Sequence, residues 1–157
     1  MESRVPARVT EERPDTPLEL KIRALRYLAR REHSRAELAR KLAPHAESPQ
    51  AIESVLDDLA NRKQLSDERY AEVRSHWLSR KYGAAKIRQD LKAHGVAEAV
   101  VERVSAEGDL EKAKAILARK YRAVATTRDE KAKRARFLQS RGFSYEIIRK
   151  VLSTEGE

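Results

Sequence analysis

The apolar positions of this chain repeat themselves. A shift of 49 residues carries Leu38 onto Ile87, Leu42 onto Leu91, His45 onto His94, Ile52 onto Val101 and Val55 onto Val104. A shift of 47 carries Leu91 onto Leu138, Gly95 onto Gly142, Val96 onto Phe143, Val100 onto Ile147, Val101 onto Ile148 and Val104 onto Val151. Neither comparison needs a gap. A fixed period of this size is the mark of a tandem array, in which one small supersecondary unit is copied along the chain. A unit of about 48 residues buries its own apolar face poorly, so stacking on its neighbour is expected to complete the core. The molecule should then be an elongated array, free to curve, with a long surface for a long partner.

The units are built of helices. Ser34-Arg35-Ala36-Glu37 and Thr127-Arg128-Asp129-Glu130 are capping boxes, in which the hydroxyl and the Glu carboxylate satisfy each other's orphan amides. Ser48-Pro49 joins an N-cap to a first-turn proline, and Ser66-Asp67-Glu68 puts acids where a helix dipole favours them. Leu18, Ile22, Leu25, Leu28 and Ala29 share one helical face; Tyr70, Val73, Trp77 and Leu78 share another. Gly95 follows Leu91 and precedes Val96, and Gly142 stands in the same way to Leu138 and Phe143. Both patterns predict a Schellman end with a left-handed glycine. No stretch alternates with period two for long, so no sheet is expected. The predicted fold is all-α: a mobile tail over residues 1–17, which holds Pro6, Pro14 and Pro17, then three-helix repeats over 18–63, 64–107 and 108–157.

Composition removes several chemistries. There is no cysteine, hence no disulfide, thiolate zinc site or thiol catalysis. The longest apolar run, Ala115 to Ala118, is far short of the roughly 20 residues of a membrane span. The five glycines are isolated, so no phosphate loop forms, and His33, His45, His76 and His94 make no paired ligand motif. No catalytic, cofactor or metal site is expected, and the chain does not read as an enzyme.

The charge points to a partner. The balance is +9, from 34 basic and 25 acidic residues. It concentrates in residues 18–45 (+5), 80–94 (+4) and 128–141 (+4), while 48–63 carries −1. Single lysines and arginines usually just solvate a helix face, but clusters in successive repeats favour an electropositive surface for a polyanion or an acidic protein. A short helix over 84–94 carrying Lys86, Arg88 and Gln89 leaves open a second reading, a helix-turn-helix-like regulator that binds duplex DNA. A helical adaptor without a nucleic-acid role is a third.

Three stretches resemble the RecX family. The first runs from Ala24 to Ser34 with Glu37-Leu38 and Lys41-Leu42. The second is Leu65-Ser66-Asp67-Glu68-Arg69-Tyr70-Ala71 with Lys81-Tyr82-Gly83 and Ile87 to Leu91. The third is Phe137-Leu138, Arg141-Gly142-Phe143-Ser144 and Ile147. The chain departs from the family pattern at Ala84, where proline is usual, and at His94, where lysine often stands. The resemblance implies three tandem three-helix repeats and no cofactor. It implies a monomeric, cytoplasmic regulator of the RecA recombinase. Such a regulator binds in the groove of the RecA–single-stranded DNA filament and limits its growth, ATPase, strand exchange and SOS coprotease role. The residues expected to contact RecA or DNA are Asp67, Arg69, Tyr70, Arg80, Lys81, Gly83, Lys86 and Arg88. Tyr70 fits core packing equally well, and Gly83 a plain helix break.

Overall fold

Serine and threonine hydroxyls set where the helices begin. In the computed structural model, which describes residues 13–154, the elements are α1 (Pro17–Arg30), α2 (Arg35–Leu42), α3 (Pro49–Asn61), α4 (Asp67–Leu78), α5 (Ala84–Ala93), α6 (Glu98–Val101), α7 (Asp109–Lys120), α8 (Arg128–Ser140) and α9 (Tyr145–Thr154). No strand occurs among the described residues, and the fold is all-α. Ser34 and Thr127 form the two expected capping boxes, and Thr16 forms a third with Glu19 at the head of α1. Ser48 and Ser66 cap α3 and α4 through their hydroxyls. Each such cap is worth about 1 kcal/mol.

The helices group in threes, each group around its own core. The first is Leu20, Ala24, Leu38, Leu42, Val55, Leu56, Leu59 and Leu65, from α1–α3 and the segment after them. The second is Tyr70, Ala71, Leu78, Ile87, Leu91, Val96 and Val101, from α4–α6. The third is Ala113, Ile116, Leu117, Leu138, Phe143, Ile148 and Val151, from α7–α9. The offsets seen in the sequence hold in space: Leu42, Leu91 and Leu138 are all 0% exposed. The expectation that neighbouring repeats share a core does not hold. The three apolar clusters are separate, and hydrogen bonds cross from one repeat to the next.

Those contacts form two joints of one design. At the first, the Ser34 hydroxyl donates to the His94 carbonyl at 2.6 Å, and the Arg35 N–H donates to Asp67 Oδ1 at 2.8 Å. At the second, the Gly83 N–H donates to the Arg141 carbonyl at 2.7 Å, and the Ala84 N–H donates to Asp109 Oδ2 at 3.1 Å. Ser34 and Gly83 are N-caps of α2 and α5; His94 and Arg141 are C-caps of α5 and α8. The C-terminal end of each second helix therefore meets the N-terminal end of the second helix before it, dipoles aligned head to tail. An aspartate from the start of the next repeat satisfies an orphan amide at the meeting point.

Glycine makes the approach possible. Gly95 and Gly142 have φ of +72° and +88°, and the Schellman bonds Val96 N–H to Leu91 O and Phe143 N–H to Leu138 O are 3.0 and 3.2 Å. A side chain at Gly142 would meet the Cβ of Lys86 and its backbone nitrogen, on the first turn of α5; at Gly95 it would meet the methyl of Ala36 on α2. The glycine that ends one helix is thus the surface on which the preceding repeat rests.

Several expectations change in detail. Residues 1–12 of the expected tail lie outside the described residues, but 13–17 do not behave as a tail. The Asp15 N–H donates to His45 O at 2.8 Å, and its carboxylate pairs with Arg23 at 2.7 Å, because Thr16 needs a fixed approach to cap α1. The α1 face that turns inward carries Leu20 and Ala24, leaving Leu18 and Ile22 at 68% and 42% exposure. In α4, Val73 and Trp77 point outward, Trp77 at 68%, because Tyr70, Ala71 and Leu78 already fill the face that meets α5. The third helix of the second repeat is one turn, α6, after which Arg88 takes the Val104 carbonyl with two N–H groups at 3.2 and 2.6 Å.

Candidate functional site

The eight residues expected to touch a partner divide by environment. Asp67 accepts the Arg35 amide across the first joint and the Ala97 amide at 3.0 Å within its own repeat. Arg69 pairs with Glu32 across the same joint at 2.9 Å. Tyr70 is 5% exposed, its ring 6.2 Å from that of His94, and burial pushes its hydroxyl pKa up. Gly83 is buried at the second joint, where an added Cβ would lie 2.6 Å from the Gly142 carbonyl oxygen. Arg88 is committed to Val104. Asp67, Arg69 and Gly83 join neighbouring repeats, while Tyr70 and Arg88 hold the second repeat together. Arg80, Lys81 and Lys86 are exposed and pair with no carboxylate among the described residues.

The same test sorts the basic clusters. In residues 18–45 four of the eight cations meet carboxylates: Arg23 meets Asp15, Lys21 meets Asp58, Arg31 meets Glu37, and Arg35 meets Glu53 and Asp57. Lys41 is held differently, with Nζ 2.8 Å from His33 Nε2 and 5.0 Å from the Tyr27 ring centroid. His33 is 1% exposed, and its pKa is lowered, first by burial and then by the charges of Arg31 and Lys41. Ion pairing leaves this region much less electropositive than its composition suggests.

Five cations without a carboxylate partner among the described residues meet between the second and third repeats. Arg80, Lys81, Arg119, Lys120 and Arg141 line one groove of about 230 Å³ with Phe137 and Ile116, and no acidic side chain lines it. Aromatic faces, not carboxylates, hold two of these cations. Lys120 Nζ stands 4.0 Å from the Phe137 centroid, and the Arg141 guanidinium lies 5.2 Å from Phe137 and 5.4 Å from Tyr82. Cation–π contact positions a charge without neutralising it. Arg119 reaches from one wall to the other, donating a long hydrogen bond to the Arg80 carbonyl at 3.4 Å. Trp77 flanks the groove in an adjoining hollow that shares Arg80 and Lys81. Sequence reasoning found Arg80 and Lys81 but not Arg119, Lys120 or Arg141 as their companions, because nothing in the linear order brings α7 and the end of α8 to the end of α4. Among the described residues no group of His, Asp or Glu is placed to hold a metal ion, and no helix is long and apolar enough to cross a membrane.

Comparison with known proteins matches each repeat in turn. Residues 21–59 match the first three-helix domain of RecX, 66–104 the second and 107–152 the third. The chain belongs to the RecX family. Curated relatives named regulatory protein RecX extend the likeness over most of the chain. The protein from Leptothrix cholodnii is 47% identical over 138 residues, covering 86% of this chain and 88% of its own. That from Ralstonia nicotianae is 42% identical over 142 residues, covering 88% and 89%. The crystal structure of RecX from Lactobacillus salivarius superposes with a TM-score of 0.79 at 22% identity, over 89% of this chain and 96% of that one, and so shares its fold. The relatives of this RecX-family chain carry the name of a regulator, not of an enzyme.

Proposed function

We propose that this chain regulates RecA by lying along the RecA–single-stranded DNA filament. There it limits filament extension and with it ATPase, strand exchange and SOS coprotease activity. The observation that carries the reading is the build of the array. Three small cores in a row are held at fixed spacing by two like joints, and the exposed, unpaired cations collect on the later repeats. A rigid row of this kind suits a periodic partner, one repeat after another. The protein would act as a monomer in the cytoplasm.

The duplex-binding alternative fits less well. A recognition helix reads bases through its N-terminal residues. The backbone at the head of α5 is met by Arg141, Gly142 and Asp109 of the third repeat, which leaves Ala85 and Lys86 as its exposed first-turn residues. Filaments of RecA on long single-stranded DNA, imaged with and without the protein, test the proposal: shorter filaments are expected, and unchanged lengths at excess protein would end it. Tight, sequence-selective duplex binding without RecA would favour the alternative.

A further inference from the structure

The geometry points to the groove between the second and third repeats as a binding site for single-stranded nucleic acid, with phosphates on Arg80, Lys81, Arg119, Lys120 and Arg141 and a base stacked on Trp77. It rests on the preceding proposal only in taking single-stranded DNA as the polymer at hand; the binding itself needs no RecA.

Three features select this ligand class. The charge is uncompensated: none of the five cations pairs with a carboxylate among the described residues, and none of the lining residues is acidic. The site is preformed, since Phe137 and Tyr82 fix Lys120 and Arg141 in place before any ligand arrives, which lowers the entropy lost on binding. A large aromatic ring lies open at its edge: Trp77 is 68% exposed, whereas the other rings of the region are half-buried. Cations that track a backbone beside a ring that accepts any base are the usual equipment for single strands. A duplex hides its base faces and would leave Trp77 unused. An acidic peptide would meet the charges but gain nothing from the ring.

The chain reports on this site directly, because Trp77 is its single tryptophan. Titration of the intact protein, without RecA, with a thymidine oligonucleotide of about 15 nucleotides should quench its fluorescence, while a labelled copy of the oligonucleotide gains anisotropy. R119E/K120E should weaken binding at least tenfold and lower the slope of log K against log salt by about 1.4, two phosphate contacts at roughly 0.7 each. R26E/R30E, which reverses exposed and unpaired charges on α1, should leave both unchanged. Where circular dichroism shows R119E/K120E unfolded, R80Q/K81Q makes the same test from the other wall. Unaltered tryptophan emission at saturating oligonucleotide would overturn the inference, as would equal losses in R26E/R30E. Tighter binding of a duplex of the same length would overturn it too, and equal binding of polyglutamate would reassign the groove to an acidic protein. Failure of the RecA reading looks different: oligonucleotide binding would survive while RecA filaments ignored the protein.

Discussion

Replacing Gly142 by alanine should damage the molecule more than the same change at Gly108, although both glycines are left-handed, at φ +88° and +83°. An alanine in that region costs about 1–2 kcal/mol wherever it sits. At Gly108 nothing lies within 4 Å of an added Cβ, so the backbone cost is the whole effect. At Gly142 the new carbon would meet the Lys86 Cβ and stand 2.5 Å from its nitrogen and 3.0 Å from its Cα. Backbone atoms of a helix first turn cannot swing aside, so the second joint must open. Overpacking of this kind adds about 1–3 kcal/mol, which brings the expected loss at Gly142 to about 2–5 kcal/mol against 1–2 at Gly108. Urea unfolding followed by far-ultraviolet circular dichroism measures both. Hydrogen exchange supplies the local check: in G142A the amides of Gly83 and Ala84, which donate to Arg141 and Asp109, should lose protection while those inside α1–α3 keep theirs. Equal losses in the two variants, or unchanged protection at Gly83, would refute the argument that glycine is the bearing surface of the joint.

Other outcomes follow from the same contacts. Asp109→Ala should cost about 2–3 kcal/mol in urea unfolding, since it strands the buried Ala84 amide and removes the partner of Lys112, whose Nζ lies 3.1 Å from Oδ1 though out of line for a hydrogen bond. Tyr70→Ala should cost about 3–5 kcal/mol and Trp77→Ala within about 0.5, because the first ring is buried and the second is not; similar losses would contradict the inward and outward faces of α4. His33 resists protonation when folded, so below about pH 6.5 the unfolded chain takes up a proton the folded one does not. Stability should therefore fall as pH drops through that point, and His33→Asn should flatten the slope in urea titrations at pH 5 to 7. Reversing Arg80, Lys81 and Lys86 to Glu should weaken inhibition of RecA without loss of helicity, whereas adding Arg88→Glu should also destabilise the second repeat, because Arg88 holds the Val104 carbonyl.

Much of the fold was legible in the sequence because it is written in local chemistry. Capping boxes, a first-turn proline and glycine before a hydrophobic residue each act within a few residues, and Ser34, Ser48, Gly95 and Gly142 all do as expected. What the sequence hid is what forms only between repeats. Asp67 and Asp109 look like first-turn acids that favour their own helix dipoles, yet each caps the second helix of the repeat before it. Gly83 looks like a helix break and is a close packing point. Helical period also leaves rotation open where two faces are apolar, which is why the expected stripe includes the exposed Leu18 and Ile22 and omits the buried Leu20 and Ala24. For the site, charge counting overrated the first repeat, because Glu53, Asp57 and Asp58 of α3 reach across to neutralise it. It also missed the groove at the second joint, whose walls come from residues about 40 to 60 apart in the chain.

The proposal that this RecX-family chain restrains RecA is tested most directly by RecA ATPase on single-stranded DNA with the intact protein titrated in. ATP hydrolysis should fall steadily as the protein is added, and should fall less with the R80E/K81E/K86E variant. Hydrolysis that stays level at excess protein would contradict it.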